Sequence, residues 1–214
     1  MPKGPSATRQ ELEAGRGYEA LFVPALFKPW TKHLVNGAGV EDGCDVLDLA
    51  CGSGVLARHA LEEAGRSGRV VGIDPAPGMI AAAMEVEPDV EWILGRAEDL
   101  PFEDEAFDCV VSQFGMMFFD GRAKAEAEMH RVLKPGGRVA VAVWNSIDHN
   151  PAYREISAVL DEQVGTEAGR RVEAAIQSRR WRPVGQGVHG NRISGCSLRD
   201  KNRAGQLSQF PHHG

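Results

Sequence analysis

The stretch Val46–Gly54, VLDLACGSG, decides the fold. Its first half belongs to a short buried strand, expected over Asp45–Ala50. The apolar run then breaks at Gly52 and Gly54, which let the backbone turn sharply and approach a ligand with no Cβ in the way. Gly54–Ala64 follows with a helical pattern, Leu56, Ala60, Leu61 and Ala64 facing inward and Gly65 ending it. A strand, a glycine turn and a helix whose first N–H groups point back at that turn make an anion- or ligand-binding corner.

The same rhythm continues downstream. Strands are expected over Arg69–Asp74, Val90–Leu94, Phe107–Gln113 and Arg138–Trp144. Helices are expected over Ala76–Val86 and from a cap at Asp120 to Leu133, where Lys134-Pro135-Gly136-Gly137 stops the helix and turns the chain. Alternation at this spacing predicts an α/β fold, an open, mostly parallel sheet with helices on both faces. In such sheets ligands bind at the carboxyl ends of the strands, near the point where strand order reverses. Upstream, Glu11–Lys28 reads as a helix with Leu12, Tyr18, Leu21, Phe22, Ala25 and Leu26 on its apolar face and a kink at Pro24. Lys32–Gly43 reads as a polar connector and Ala152–Ile176 as helical. The expected organisation is a helical cap over residues 1–43, a cofactor-binding domain over 44–176 and an atypical basic tail over 177–214.

Composition narrows the class of function. The 214 residues are 43% hydrophobic and 25% charged, ordinary for a folded domain. No apolar run approaches the roughly 20 residues of a membrane-crossing helix, so no membrane partner is expected. The opening MPKGPSATRQELEAG lacks the apolar core of a secretion signal. Cys44, Cys51, Cys109 and Cys196 show no paired or metal-ligand spacing, so no metal site is expected and a cytoplasmic location is. A net charge of −6 argues against a general nucleic-acid binder.

Asp48 and Asp74 point to the ligand. Asp74 ends the second strand, where a carboxylate can accept hydrogen bonds from both hydroxyls of a ribose. An adenosine-containing cofactor is implied. Gly52-x-Gly54-x-x-Ala57 formally satisfies a dinucleotide fingerprint, so NAD is the competing choice. Asp48, four residues before Gly52, would repel a pyrophosphate but suits the ammonium of S-adenosylmethionine. The plainer reading is a structural turn with two solvated carboxylates.

From about Tyr18 to Ala175 the chain resembles the class I S-adenosylmethionine-dependent methyltransferases, in the branch of the ubiquinone/menaquinone-biosynthesis enzymes. The motifs carrying the resemblance are VLDLACGSG (46–54), GIDPAPGMI (72–80), GRAEDLPFEDEAFDCVVSQFGMMFF (95–119) and EMHRVLKPGGRVAVAVW (128–144). The resemblance implies a Rossmann-like fold and methyl transfer from S-adenosyl-L-methionine to a small-molecule acceptor. It implies that Gly52, Ser53 and Gly54 line the methionine end with Ala50 beside them, that Asp48 holds the amino group and that Asp74 takes the ribose. Pro75 and Met79 would cover the adenine, with a core role the alternative for Met79, and Ala97 would donate its N–H to the base. Relatives often carry an acid where Arg96 stands; Glu98 or a backbone carbonyl would then accept from the adenine amino group. Gln113 would meet the methionine portion, and Phe114–Phe119 would shape the acceptor cavity. Tyr18, Phe22, Phe27 and Trp30 resemble the family's cap over the cofactor, against simple helix docking. No catalytic base is assigned; His33 and His149 reach the site only if their loops fold over it. SQFG after the fourth strand departs from the motif of amino-group DNA methyltransferases.

From Gln177 onward seven residues are basic and one acidic, with no helical or strand periodicity. A frameshifted terminus is one explanation, because codons displaced by one nucleotide permit an amphipathic helix followed by a β-rich run. A genuine basic tail is the other. Either way the family's final strand pair is expected to be missing, the fifth strand to present an open edge and the tail to be irregular. A truncated relative that binds cofactor without catalysing stays open beside the enzyme, and NAD-dependent oxidoreduction is the more distant alternative.

Overall fold

The computed structural model describes residues 6–144, a few positions between 155 and 165, and the strand Cys196–Asp200. The chain enters through α1 (Arg9–Phe22), a π-helical turn at Val23–Phe27 and α2 (Lys28–Ala38). It then alternates through β1 (Asp45–Leu49), α3 (Val55–Ala64), β2 (Arg69–Asp74), α4 (Pro77–Val86), β3 (Glu91–Leu94), β4 (Phe107–Gln113), α5 (Arg122–Val132) and β5 (Leu133–Ala142). β6 (Cys196–Asp200) completes a sheet of order β3-β2-β1-β4-β5-β6. β1 to β5 are parallel, and strand order reverses between β1 and β4.

Alternating strand residues build two cores. Val46, Val70, Val111 and Ala140 face Leu34 of α2 and Leu56 and Ala60 of α3. Leu47, Val71, Ile73 and Val110 face Ala125, Met129 and Val132 of α5. Each large aliphatic buried this way contributes about 1.5–3 kcal/mol of transfer free energy, and the helices on both faces explain why the strands lack polar alternation.

Several expectations are corrected. The N-terminal helix begins at Arg9, because Thr8 and Glu11 form a reciprocal capping box: Thr8 N–H donates to Glu11 Oε2 at 2.8 Å and Glu11 N–H to Thr8 Oγ1 at 3.2 Å. Pro24 lies in a π-helical turn, and the expected connector from Lys32 is the body of α2. Leu21 and Phe22, placed on the apolar face by spacing, are 70% and 49% exposed. The residue α1 buries is Gly15, which lies against Gly78 of α4: a Cβ on Gly15 would stand 2.4 Å from the Gly78 carbonyl oxygen. Close backbone approach, rather than an apolar stripe, orients this helix.

α5 starts after Gly121, with no side-chain cap from Asp120. Lys134-Pro135-Gly136-Gly137 lies inside β5 as a register irregularity opposite Phe107–Cys109, and the strand ends at Ala142. The Lys134 ammonium donates to Asp45 at 2.7 Å and Asp108 at 2.9 Å, which ties the start of β5 to β1 and β4. The edge of β5 is not left open over Arg138–Ala142: β6 pairs with it antiparallel, from Arg138 opposite Asp200 to Ala142 opposite Cys196. Unpaired strand groups accept any extended segment through the main chain, so periodicity did not disclose this strand. The irregular tail is corrected at these five residues. Within the expected helix over Ala152–Ile176, Glu155, Ala158, Val159, Asp161 and Glu162 are helical; the rest of it apart from Gly165, His149 and the rest of the tail lie outside the described residues.

The crossing of α1 and α4 gives a test whose sign opposes helix propensity. Gly78→Ala should favour an isolated helix by about 1 kcal/mol. In the fold its Cβ would stand 2.2 Å from the Glu11 carbonyl oxygen. We expect a net loss of about 1–3 kcal/mol in denaturant unfolding and faster proteolysis near Phe22. A stability gain would show that α1 shifts without cost.

Candidate functional site

β1 and β4 both end in strained backbone. Ala50 has φ 54° and Phe114 φ 55°, uncommon for residues other than glycine. Such strain persists where surrounding structure fixes it, and it collects at functional sites. Here the Phe114 N–H donates to the Ala142 carbonyl at 2.8 Å, and Ala50 packs on Gly115. The two strand ends therefore diverge at the reversal point and leave space on either side of Ala50.

The larger space, about 190 Å³, is lined by Ala50, Asp74, Pro75, Ala97, Glu98 and Phe118, among others, with Arg96 also on its wall. Asp74 is fixed by two backbone donors: the Gly52 N–H at 2.9 Å and the Ala76 N–H at 2.8 Å. Each oxygen keeps a lone pair for a further donor. Burial raises the Asp74 pKa above its ordinary value, and those two amides oppose the shift. Arg96 is half exposed, paired with Asp120, and approaches Glu98 at 3.5 Å. Glu98 in turn accepts from the Gly121 N–H at 3.1 Å.

The smaller space, about 30 Å³, lies on the other side of Ala50 and is lined by Tyr18, Phe27, Asp48, Gly52, Ser53 and Gln113, among others. Asp48 is 1% exposed, and neither of its oxygens has a hydrogen-bond partner among the described residues. Burial pushes its carboxyl well above the usual carboxylate range; the nearby Ala57 backbone N–H opposes this, the Asp74 charge adds to it, and the Arg58 charge opposes it. Ser53 Oγ and Gln113 Oε1 are also buried and unpartnered, while Gln113 Nε2 donates to the Phe27 carbonyl at 2.7 Å. A cluster of buried acceptors without donors is costly unless a cation or donor group completes it. That donor set fits the ammonium of an amino acid and would repel a phosphate.

Most expected site residues therefore gather around the two spaces. Asp48, Ala50, Gly52, Ser53 and Gln113 line the smaller one; Ala50, Asp74, Pro75, Arg96, Ala97 and Glu98 line the larger. Gly54 is the left-handed residue leading into α3. Met79 is half-buried on α4 and is not part of either lining. Of the cap aromatics, Tyr18 and Phe27 reach the smaller space, Phe22 faces outward, and Trp30 packs edge-on against Phe114 at 5.8 Å. Phe114 also stacks on Trp144, their centroids 3.8 Å apart. Of Phe114–Phe119, Gly115, Phe118 and Phe119 line the larger space. His33 is exposed on α2, and neither lining includes a histidine. Glu19 and Arg58 were not anticipated, because their contact spans elements far apart in sequence.

Residues 47–141 match the family profile described as a methyltransferase domain. The match spans β1 to β5, the strands that carry both spaces, and makes this stretch similar to methyltransferase domains. The chain is 40% identical over 124 residues to 2-phytyl-1,4-beta-naphthoquinone methyltransferase, a chloroplastic protein of Arabidopsis thaliana, covering 54% of this chain and 48% of that one. It is 37% identical over 143 residues to the ubiquinone/menaquinone biosynthesis C-methyltransferase UbiE of Francisella philomiragia, covering 64% and 56%. The chain thus spans about half the length of these curated relatives. In fold it is similar to an S-adenosylmethionine-dependent methyltransferase from Aquifex aeolicus (TM-score 0.58, 20% identity, 71% and 86% coverage). It is likewise similar to one from Methanococcus maripaludis described as putative (0.59, 17%, 92% and 94%).

Proposed function

We propose that the chain transfers a methyl group from S-adenosyl-L-methionine to a small-molecule acceptor, and that the acceptor is a quinol-type ring. The observation that carries the donor is Asp48: a buried carboxylate with two free oxygens beside a glycine turn. The acceptor class is supported by the two quinone-pathway relatives.

When bound, the cofactor supplies a methyl carbon already activated on a sulfonium, which an acceptor atom displaces in line. The protein's part is to place and to dry. Asp48 would hold the ammonium, Asp74 the ribose hydroxyls, and Pro75, Ala97 and Glu98 the adenine. Gly52, Ser53 and Gln113 would frame the methionine portion. Phe118 and Phe119 border the larger space and would help exclude water. Alignment of this kind supplies about 7–11 kcal/mol of a barrier. A base is needed only where the acceptor must lose a proton. A cytoplasmic location and the absence of nucleic-acid and membrane-spanning partners belong to the same proposal; no helix among the described residues is long and apolar enough to cross a membrane.

Thermal unfolding with S-adenosylhomocysteine, NAD serving as control, tests the donor. At a hundred times its dissociation constant a ligand of the native state stabilises by about 2.7 kcal/mol. We expect that shift with S-adenosylhomocysteine alone, and methylated product from a 1,4-naphthoquinol by mass spectrometry. A shift with NAD alone would overturn the donor; cofactor binding without product would leave a binding protein.

A further inference from the structure

Glu19 of α1 and Arg58 of α3 meet at 2.6 Å, with 21% and 18% of their side chains exposed. Exposed ion pairs contribute little, but this one is largely shielded and joins elements 39 residues apart. Arg58 spends a second nitrogen on the Ser53 carbonyl, at 2.8 Å. One guanidinium therefore ties the cap to the glycine turn. Among the described residues the second Glu19 oxygen is buried without a hydrogen-bond partner, like the Asp48 oxygens and Ser53 Oγ.

The charges explain why such a tie matters for one end of the ligand. Arg58 is close enough to bear on the Asp48 carboxylate. A guanidinium free to turn would compete with an incoming ammonium for that carboxylate. Glu19 and the Ser53 carbonyl hold it away. The space beside Asp48 is about 30 Å³, room for about one water, and Tyr18, one residue from Glu19, forms part of its wall. A space this small would have to widen for an amino-acid end, and Tyr18 of α1 is on the wall that would move.

Resting on the cofactor reading above, we propose that Glu19 and Arg58 are a positioning pair for the amino-acid end of the cofactor. They fix the Ser53 turn, keep the guanidinium off Asp48 and draw α1 down over the ammonium. Neither residue lines the two spaces, so the pair acts through Ser53, Asp48 and Tyr18.

Two ligands that share the adenosine and differ in the amino-acid end separate this from a general structural role. Affinities of S-adenosylhomocysteine and 5′-methylthioadenosine are measured by calorimetry for the full chain, Glu19→Gln, Arg58→Lys and the double variant, each checked for folding by its unfolding midpoint. We expect S-adenosylhomocysteine to bind about tenfold more weakly to either single variant, the equivalent of ~1.4 kcal/mol, and to dissociate faster. The double variant should be no weaker than the worse single one, as expected for coupled partners. 5′-Methylthioadenosine should hold within about twofold throughout. Equal weakening of both ligands would assign the pair a structural role and overturn the proposal, as would unchanged S-adenosylhomocysteine binding. If the unaltered chain bound neither ligand, the cofactor reading itself would fall.

Discussion

Asp48→Asn should weaken S-adenosylhomocysteine binding by about 100-fold and, in the same protein without ligand, raise stability. The binding loss follows from removing the charge that faces the ammonium; a charge-assisted hydrogen bond in a dry site is worth about 1.5–3 kcal/mol. The stability gain follows from burial. Desolvation of the Asp48 charge is offset only in part, by the Ala57 backbone N–H and the Arg58 charge, and its pKa lies well above the ordinary value. The folded protein therefore keeps that proton to higher pH than the unfolded chain does. Stability from this group is complete below the ordinary carboxylate range and falls as pH rises toward the native pKa, by up to about 1.4 kcal/mol per unit. Asparagine carries no such penalty, so the variant should be about 1–3 kcal/mol more stable at neutral pH. Ligand binding has the opposite slope, since the ammonium selects the ionised form. As pH rises above the ordinary carboxylate range the unliganded protein should lose stability while affinity rises, and both slopes should flatten in Asp48→Asn. Denaturant unfolding and calorimetry over that rise in pH check both. A variant that keeps the original affinity would remove Asp48 from the site.

The same residue marks how far the sequence could be read. The strand-to-helix corner at Val46–Gly54 was legible because three local signals coincide: an apolar run, two glycines and a helical period. Asp48 and Asp74 could be placed beside the turn because each lies on a short strand that leads into it, and the structure sets each on the wall of a space. The cap was not legible in the same way. Spacing placed Leu21 and Phe22 inward, but α1 docks through Gly15 on Gly78, and glycine carries no periodic signal. The Glu19–Arg58 pair joins two surface-like residues from separate helices, and charge order along the chain says nothing about that. Met79, by contrast, has the helical spacing that made a core role the alternative, and it lines neither space. β6 escaped because edge pairing is a main-chain event. It needs an extended segment and leaves no required side-chain pattern.

Gly54→Ala should cost about 3 kcal/mol of stability and disturb the cofactor turn with it. Gly54 has φ 90°, where an L side chain is strained by about 1–2 kcal/mol. Its added Cβ would also stand 2.2 Å from Cη2 of Trp92, reaching across from β3. Overpacking of this sort costs about 1–3 kcal/mol unless the neighbour can move. Trp92 is poorly placed to move. Its indole N–H donates to the Glu87 carbonyl at 2.7 Å, and its ring already lies against Gly72 of β2, where a Cβ would stand 2.4 Å away. The strain must then pass into the turn, whose Gly54 N–H donates to Cys51 and whose Gly54 carbonyl receives the Arg58 N–H, each at 2.9 Å. Those bonds hold the Gly52–Ser53 backbone that the proposed function places against the cofactor, so affinity for S-adenosylhomocysteine should fall together with the unfolding midpoint. Trp92→Leu separates the two causes. If the indole is the obstacle, Gly54→Ala and Trp92→Leu together should lose at least about 1 kcal/mol less than the sum of their single losses. Additive losses would place the whole cost in the backbone angle and take Trp92 out of the reason that position 54 is glycine.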